Sequence, residues 1–152
     1  MWPFDDCRGL LPQKAGPEAV GLLGTSKGVS EPCQSAILEH GLQRCVGVVH
    51  AALTRYRIRD EAWLWYESRF KEGLTKIDTL IVDGPPGDLQ PLSRYPALPL
   101  LIDLLSQKSL ILMDDGGRWE EQEIVARWRQ EYGGLNARYI SSDKGTIYLK
   151  RR

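Results

Sequence analysis

The stretch from Ile77 to Pro99 constrains the chain most. Ile77–Val82 (IDTLIV) reads as a short buried strand, and Asp83 follows it directly, ahead of Gly84-Pro85-Pro86-Gly87. Proline gives no N–H to a sheet ladder, so the strand must stop there, with Asp83 held at its carboxyl tip. Ser109–Met113 is a second apolar run, and it ends on Asp114-Asp115. Between the two, the segment from Pro96 to about Ser106 repeats Leu98, Leu101, Ile102 and Leu105 at a helical period. Strand, helix, strand in that order predicts parallel neighbours joined by a right-handed crossover. Ligands of open α/β sheets gather beyond the carboxyl ends of such strands.

The remaining elements extend this pattern. Trp119 to Tyr132 predicts a helix with Ile124, Val125 and Trp128 inward, ended by Gly133-Gly134. Leu135–Ile140 and Thr146–Leu149 predict a terminal hairpin around Asp143-Lys144-Gly145, supplying an antiparallel edge. Upstream, Glu31-Pro32 opens a short helix from Cys33 to His40 that Gly41 closes, and Cys45–Val49 follows as a buried strand. Arg55, Arg57 and Arg59 alternate with Tyr56, Ile58 and Asp60, which fits an exposed hairpin arm or an extended loop. Trp63, Trp65, Tyr66 and Phe70 come next as the densest aromatic patch. Residues 1–31 hold three prolines and five glycines and form a poorly defined segment ahead of an α/β domain over 32–152. Within them, Ala19–Leu23 reads either as tail or as a strand. In the second case Gly24 to Gly28 forms a loop that brings backbone N–H groups to an anionic or ribosyl ligand.

Bulk properties exclude several classes. At 152 residues one domain is expected. Twenty basic and twenty acidic residues cancel, so no broad positive field attracts nucleic acid or anionic lipid. Cys7, Cys33 and Cys45 lack metal-ligand spacing and read as free thiols of a reducing compartment. The longest apolar stretch, near Ala97 to Leu105, is too short to span a membrane. With no signal-peptide pattern at the N-terminus, the expected location is cytoplasmic.

Ile77–Gly87, Arg94-Tyr95-Pro96-Ala97-Leu98-Pro99 and Ile111–Arg118 resemble class I S-adenosylmethionine-dependent methyltransferases. The likeness is to the group whose fourth strand ends in VDGPPG and whose next helix begins RYPALP. Val48-Val49-His50-Ala51-Ala52-Leu53 is similar to that group's third strand with its HAPL turn, and Trp65-Tyr66-Glu67 to its WYD/WYE element. The resemblance implies a Rossmann-like α/β sheet, mainly parallel with a C-terminal antiparallel hairpin. Counting back from the third strand leaves little chain for two earlier ones, so one or two early strands are expected to be missing. It further implies S-adenosylmethionine at Gly24, Gly28, Ala51, Asp83 and Gly84, methyl transfer to a small-molecule oxygen or nitrogen, and catalysis by Asp83 and Asp114. A shortened, noncatalytic relative serving as an interaction module is the alternative. The apolar edge left by absent strands suggests a homodimer.

Asp83, Asp114 and Asp115 would lie roughly 5–10 Å apart on neighbouring strands, and three such carboxylates repel unless a cation, N–H donors or protons intervene. Mg²⁺ or Ca²⁺ would suit oxygen ligands, and catechol-type enzymes of the resembled family place a metal at such tips. The competing reading has Asp83 capping its own turn and Asp114 and Asp115 capping the next helix. Arg94 pairs either with Asp83 or a substrate anion, or with Asp88 and solvent. Arg118 stands in the same position beside Asp115. His50, just past a strand tip, is either a general base or a residue bonded to backbone. Glu120, Glu121 and Glu123 read as a solvated first helical turn.

Overall fold

A computed structural model describes residues 20–24, 34–43, 46–71, 74 and 76–151. The chain divides into two compact units, Met1–His50 and Ala51–Arg152. In the first, β1 (Val20–Gly24) pairs in parallel with β2 (Val46–His50), from Val20 opposite Val46 to Gly24 opposite His50. Helix α1 (residues 34–39) lies in the connection. It ends at Gly41, whose φ of 66° is a left-handed conformation that glycine adopts freely, while Leu42 N–H donates back to the Ile37 carbonyl at 2.9 Å. The strand reading of Ala19–Leu23 therefore holds, one residue later. All three cysteines lie outside the described residues.

The second unit opens with a hairpin of β3 (Leu53–Ile58) and β4 (Glu61–Tyr66), turned at Arg59 and Asp60. The alternating arginines are thus a hairpin arm. Tyr56 and Ile58 face inward while Arg55 and Arg57 face water, the period-two pattern of a half-buried ribbon. Four strands then form one sheet: β5 (Ile77–Val82), β6 (Leu105–Met113), β7 (Leu135–Ile140) and β8 (Thr146–Arg151), ordered β5-β6-β8-β7. β5 and β6 are parallel, and β8 is antiparallel to both of its neighbours.

The terminal hairpin supplies an antiparallel edge, as expected: β8 sits between β6 and β7, where its buried Ile147 and Leu149 suit an interior place, and β7, which exposes Tyr139 and Ile140, ends the sheet on that side. One expectation changes. Helix α2 covers only Ala97–Leu101 and tightens to a 3₁₀ turn at Ile102–Leu104, after which β6 begins at Leu105 rather than Ser109. Leu105 is buried in either state, so apolar spacing alone could not separate the helix end from the strand start.

Helix α3 (Trp119–Tyr132) buries Glu121, Ile124, Val125 and Trp128, one stripe at helical spacing. Trp128 is fully buried, and its indole N–H donates to the Tyr95 carbonyl at 3.0 Å. Val82, Leu98, Ile111, Met113 and Leu149 complete the core. Among the described residues no helix is long and apolar enough to cross a membrane.

Replacing Trp128 with Ala should cost about 3–5 kcal/mol, because a large side chain leaves a cavity and an unpaired carbonyl. Replacing Trp119, which is 70% exposed, should cost within about 0.5 kcal/mol. Denaturant unfolding that gave equal losses would contradict this packing.

Candidate functional site

Asp83 stands one residue past β5, and Asp114 and Asp115 stand just past β6. The two tips are level: Val82 is opposite Met113, and Asp114 N–H donates to the Val82 carbonyl at 3.0 Å. Each of the three aspartates places a carboxylate oxygen within 4.8 Å of the others, so the expected convergence is present. The expectation that Asp114 or Asp115 caps α3 is not met. The residue at the cap position is Arg118, and it makes no side-chain cap bond.

The loop from Gly84 to Arg94 is tied down along its length. Ser93 Oγ donates to the Pro85 carbonyl at 3.2 Å. The Gln90 amide bridges Leu64, accepting from its N–H at 2.9 Å and donating to its carbonyl at 3.0 Å. Gly84 faces the Tyr66 hydroxyl so closely that an added Cβ would come within 2.7 Å of it. A packing reason for this glycine therefore stands beside its expected cofactor role.

That loop delivers Arg94 between the strand tips. Its side chain is only 5% exposed, and Nη2 lies 3.3 Å from Asp83 Oδ1 and 2.9 Å from Asp115 Oδ2. Nη1 donates to the Asp114 carbonyl at 2.9 Å and reaches Glu121 Oε1 at 3.3 Å. Arg94 thus pairs with Asp83, as one reading held, and not with Asp88. Arg118 donates to Asp115 Oδ2 at 3.2 Å and holds both oxygens of Glu121, at 2.7 and 3.1 Å. Lys144 Nζ is 3.8 Å from Asp115 Oδ1.

Glu121 is not part of a solvated turn: its side chain is 2% exposed and held by two arginines. Its spacing from Ile124, Val125 and Trp128 was the available signal, because three, four and seven residues on fall on one helical face. The Asp114–Gly117 turn is likewise fixed. Asp115 adopts a φ of 54°, which Asp tolerates better than most residues. Gly116 and Gly117 N–H groups donate to the Gly145 and Lys144 carbonyls, each at 2.8 Å.

These contacts separate the aspartates electrostatically. Burial pushes the Asp115 carboxyl up, but hydrogen bonding and charge from Arg94, with Arg118 and Lys144, hold it below the ordinary carboxylate range. Burial raises Asp83, and the like charge of Asp114 adds to this against the pull of Arg94. Asp83's side chain is 66% exposed against 12% for Asp115.

The other sequence-nominated residues lie as follows. Gly24 closes β1 opposite His50, which is exposed, and both belong to the first unit. Ala51 is fully buried at the start of the second. Gly28 lies outside the described residues. Trp63, Trp65 and Tyr66 are buried rather than open to a ligand. Trp63 packs on Tyr95 with ring centroids 4.6 Å apart.

No family model matches the chain, and no curated protein matches it. Solved structures do. The fold is similar to that of a methyltransferase from Geobacter sulfurreducens, with TM-score 0.61 and 12% identity over 88% of this chain and 58% of that one. It is similar to an SAH-bound methyltransferase from Podospora anserina, with TM-score 0.63 and 13% identity over 87% and 60%. A third likeness is to the C-terminal domain of a precorrin-6Y methyltransferase from Rhodobacter capsulatus, with TM-score 0.52 and 12% identity over 87% and 67%. The chain spans about three fifths of the length of the first two. Its fold is the α/β, Rossmann-like class I methyltransferase type.

Removing Arg94 should be severe, because Asp115 and Glu121 would stay buried with less compensation. Arg94→Met is expected to cost about 3–5 kcal/mol in denaturant unfolding. A loss below about 1 kcal/mol would contradict the buried pairing. Asp115 also sets a pH dependence. Its folded pKa lies below the unfolded value, so its stabilisation is present above about pH 4 and is lost as pH falls through the folded pKa. Asp115→Asn should therefore lower Tm more at about pH 7 than at about pH 3. Equal shifts at both would reject an ionic role.

Proposed function

We propose that this chain binds S-adenosylmethionine at the carboxyl edge of its parallel strands and transfers a methyl group to a small-molecule oxygen or nitrogen. One observation carries the reading: Asp83 and Asp114 converge at level tips of adjacent parallel strands, in a fold similar to methyltransferases that include an SAH-bound one. The narrower likeness to the VDGPPG/RYPALP group supports it. The balanced charge of the sequence favours a small acceptor over a nucleic acid.

In this proposal Asp83 and Gly84 of the second unit hold the cofactor. Bound there, the cofactor would supply a methyl group already made electrophilic by its sulfonium. The protein's own task is to orient the acceptor and take a proton where one must leave. Asp83 and Asp114 suit that task. They face solvent more than Asp115 does, and the raised pKa of Asp83 brings it nearer the range of a working general base. An acceptor O–H or N–H would donate to Asp83, and the proton would pass to that carboxylate.

Titration calorimetry with S-adenosylhomocysteine and S-adenosylmethionine should give saturable micromolar binding. Asp83→Ala should abolish it with the circular dichroism spectrum and Tm preserved. A folded protein that binds neither compound would overturn the reading, and unchanged affinity in Asp83→Ala would remove Asp83 from the site.

A further inference from the structure

We infer that Arg94 is a built-in cation occupying the place a divalent ion would need among the strand-tip carboxylates, so the site works without metal. Three converging aspartates suggest a hard-cation site, and hard cations require carboxylate oxygens free to coordinate. Asp115 has at most Oδ1 to offer. Its Oδ2 accepts from Arg94 at 2.9 Å and Arg118 at 3.2 Å, and its Oδ1 faces Lys144 at 3.8 Å. The same Nη2 that reaches Asp115 also stands 3.3 Å from Asp83 Oδ1. An ion shared by Asp83 and Asp115 would lie against the positive guanidinium.

Arg94 is also held by the Asp114 carbonyl at 2.9 Å and by buried Glu121 at 3.3 Å, contacts it would lose on swinging aside. Asp83 and Asp114 are the freer carboxylates, and two carboxylates beside a fixed positive charge make a poor ion site. An acceptor would then be held by hydrogen bonds to these two aspartates and not by coordination. The inference concerns this chain's own charges and can be tested with no cofactor present.

The test is electron paramagnetic resonance of Mn²⁺ alone with the full chain. Wild type should leave the free-ion signal undiminished at millimolar Mn²⁺. Arg94→Met should gain a saturable site that a second change, Asp83→Asn, removes. Saturable Mn²⁺ binding by wild type that is lost in Asp83→Asn would overturn the inference. So would a folded Arg94→Met protein that stays blind to Mn²⁺. Wild-type binding that survives Asp83→Asn lies elsewhere on the surface and agrees with the inference. If circular dichroism shows Arg94→Met unfolded, the wild type and Asp83→Asn comparison alone decides.

Discussion

One buried guanidinium ties together the groups that project beyond two strand tips. Arg94 reaches the Asp83 side chain, the Asp114 carbonyl, and the carboxylates of Asp115 and Glu121. Burying an arginine is unfavourable unless its donors find acceptors and its charge finds partners. Among the described residues, its Nε has no hydrogen-bond partner. The planar fork does what an ammonium could not, because Nη2 joins Asp83 past β5 to Asp115 past β6, while Nη1 joins the Asp114 carbonyl to Glu121 on α3. The sheet ladder fixes the strands along their length; Arg94 fixes what lies beyond the ladder.

The residue after it anchors that strut. Tyr95 is fully buried, stacks on Trp63, and lies beneath the Arg127 guanidinium at 4.1 Å. Its hydroxyl donates to Glu131 at 2.7 Å, and Arg127 bridges Glu131 at 2.8 Å and Glu61 at 2.5 Å. Burial and the Glu131 carboxylate push the Tyr95 phenol up to about 12, so it remains a neutral donor across the physiological range. The hairpin, the loop carrying Arg94 and helix α3 are thereby joined through one ring. A site held this way is preorganised, since its side chains need little reordering when a ligand arrives.

The sequence made some of this legible, and physical reasons explain the remainder. The breaks at Gly84-Pro85-Pro86-Gly87 and Gly133-Gly134 were plain because proline and glycine act locally. The convergence of Asp83 and Asp114 followed from strand, helix, strand order, which topology rules nearly determine. The place of β8 did not follow, because both strands of the hairpin are apolar enough for an interior position. Of Arg94's partners Asp83 was legible, whereas Asp115 and Glu121 come from more distant segments whose approach the local sequence does not encode. Glu121 belongs to a run of acidic residues that looks solvated, although its helical spacing from Ile124, Val125 and Trp128 places it inward.

The two kinds of aspartate at this edge answer different demands. Asp115 sits in low-dielectric surroundings with three cations around it, and its ionised form is locked by them. Such a group holds structure well and exchanges protons badly. Asp83 keeps a single cationic neighbour, faces a like charge in Asp114, and remains largely in water. Its negative charge is the less compensated, so an approaching donor or positive group gains more there than at Asp115. Four carboxylates set against Arg94, Arg118 and Lys144 leave one negative charge over. The geometry puts that surplus at Asp83 and Asp114, on the solvent side of the strut. The same guanidinium that makes Asp115 inert therefore leaves the outer pair as the chemically responsive part of the edge.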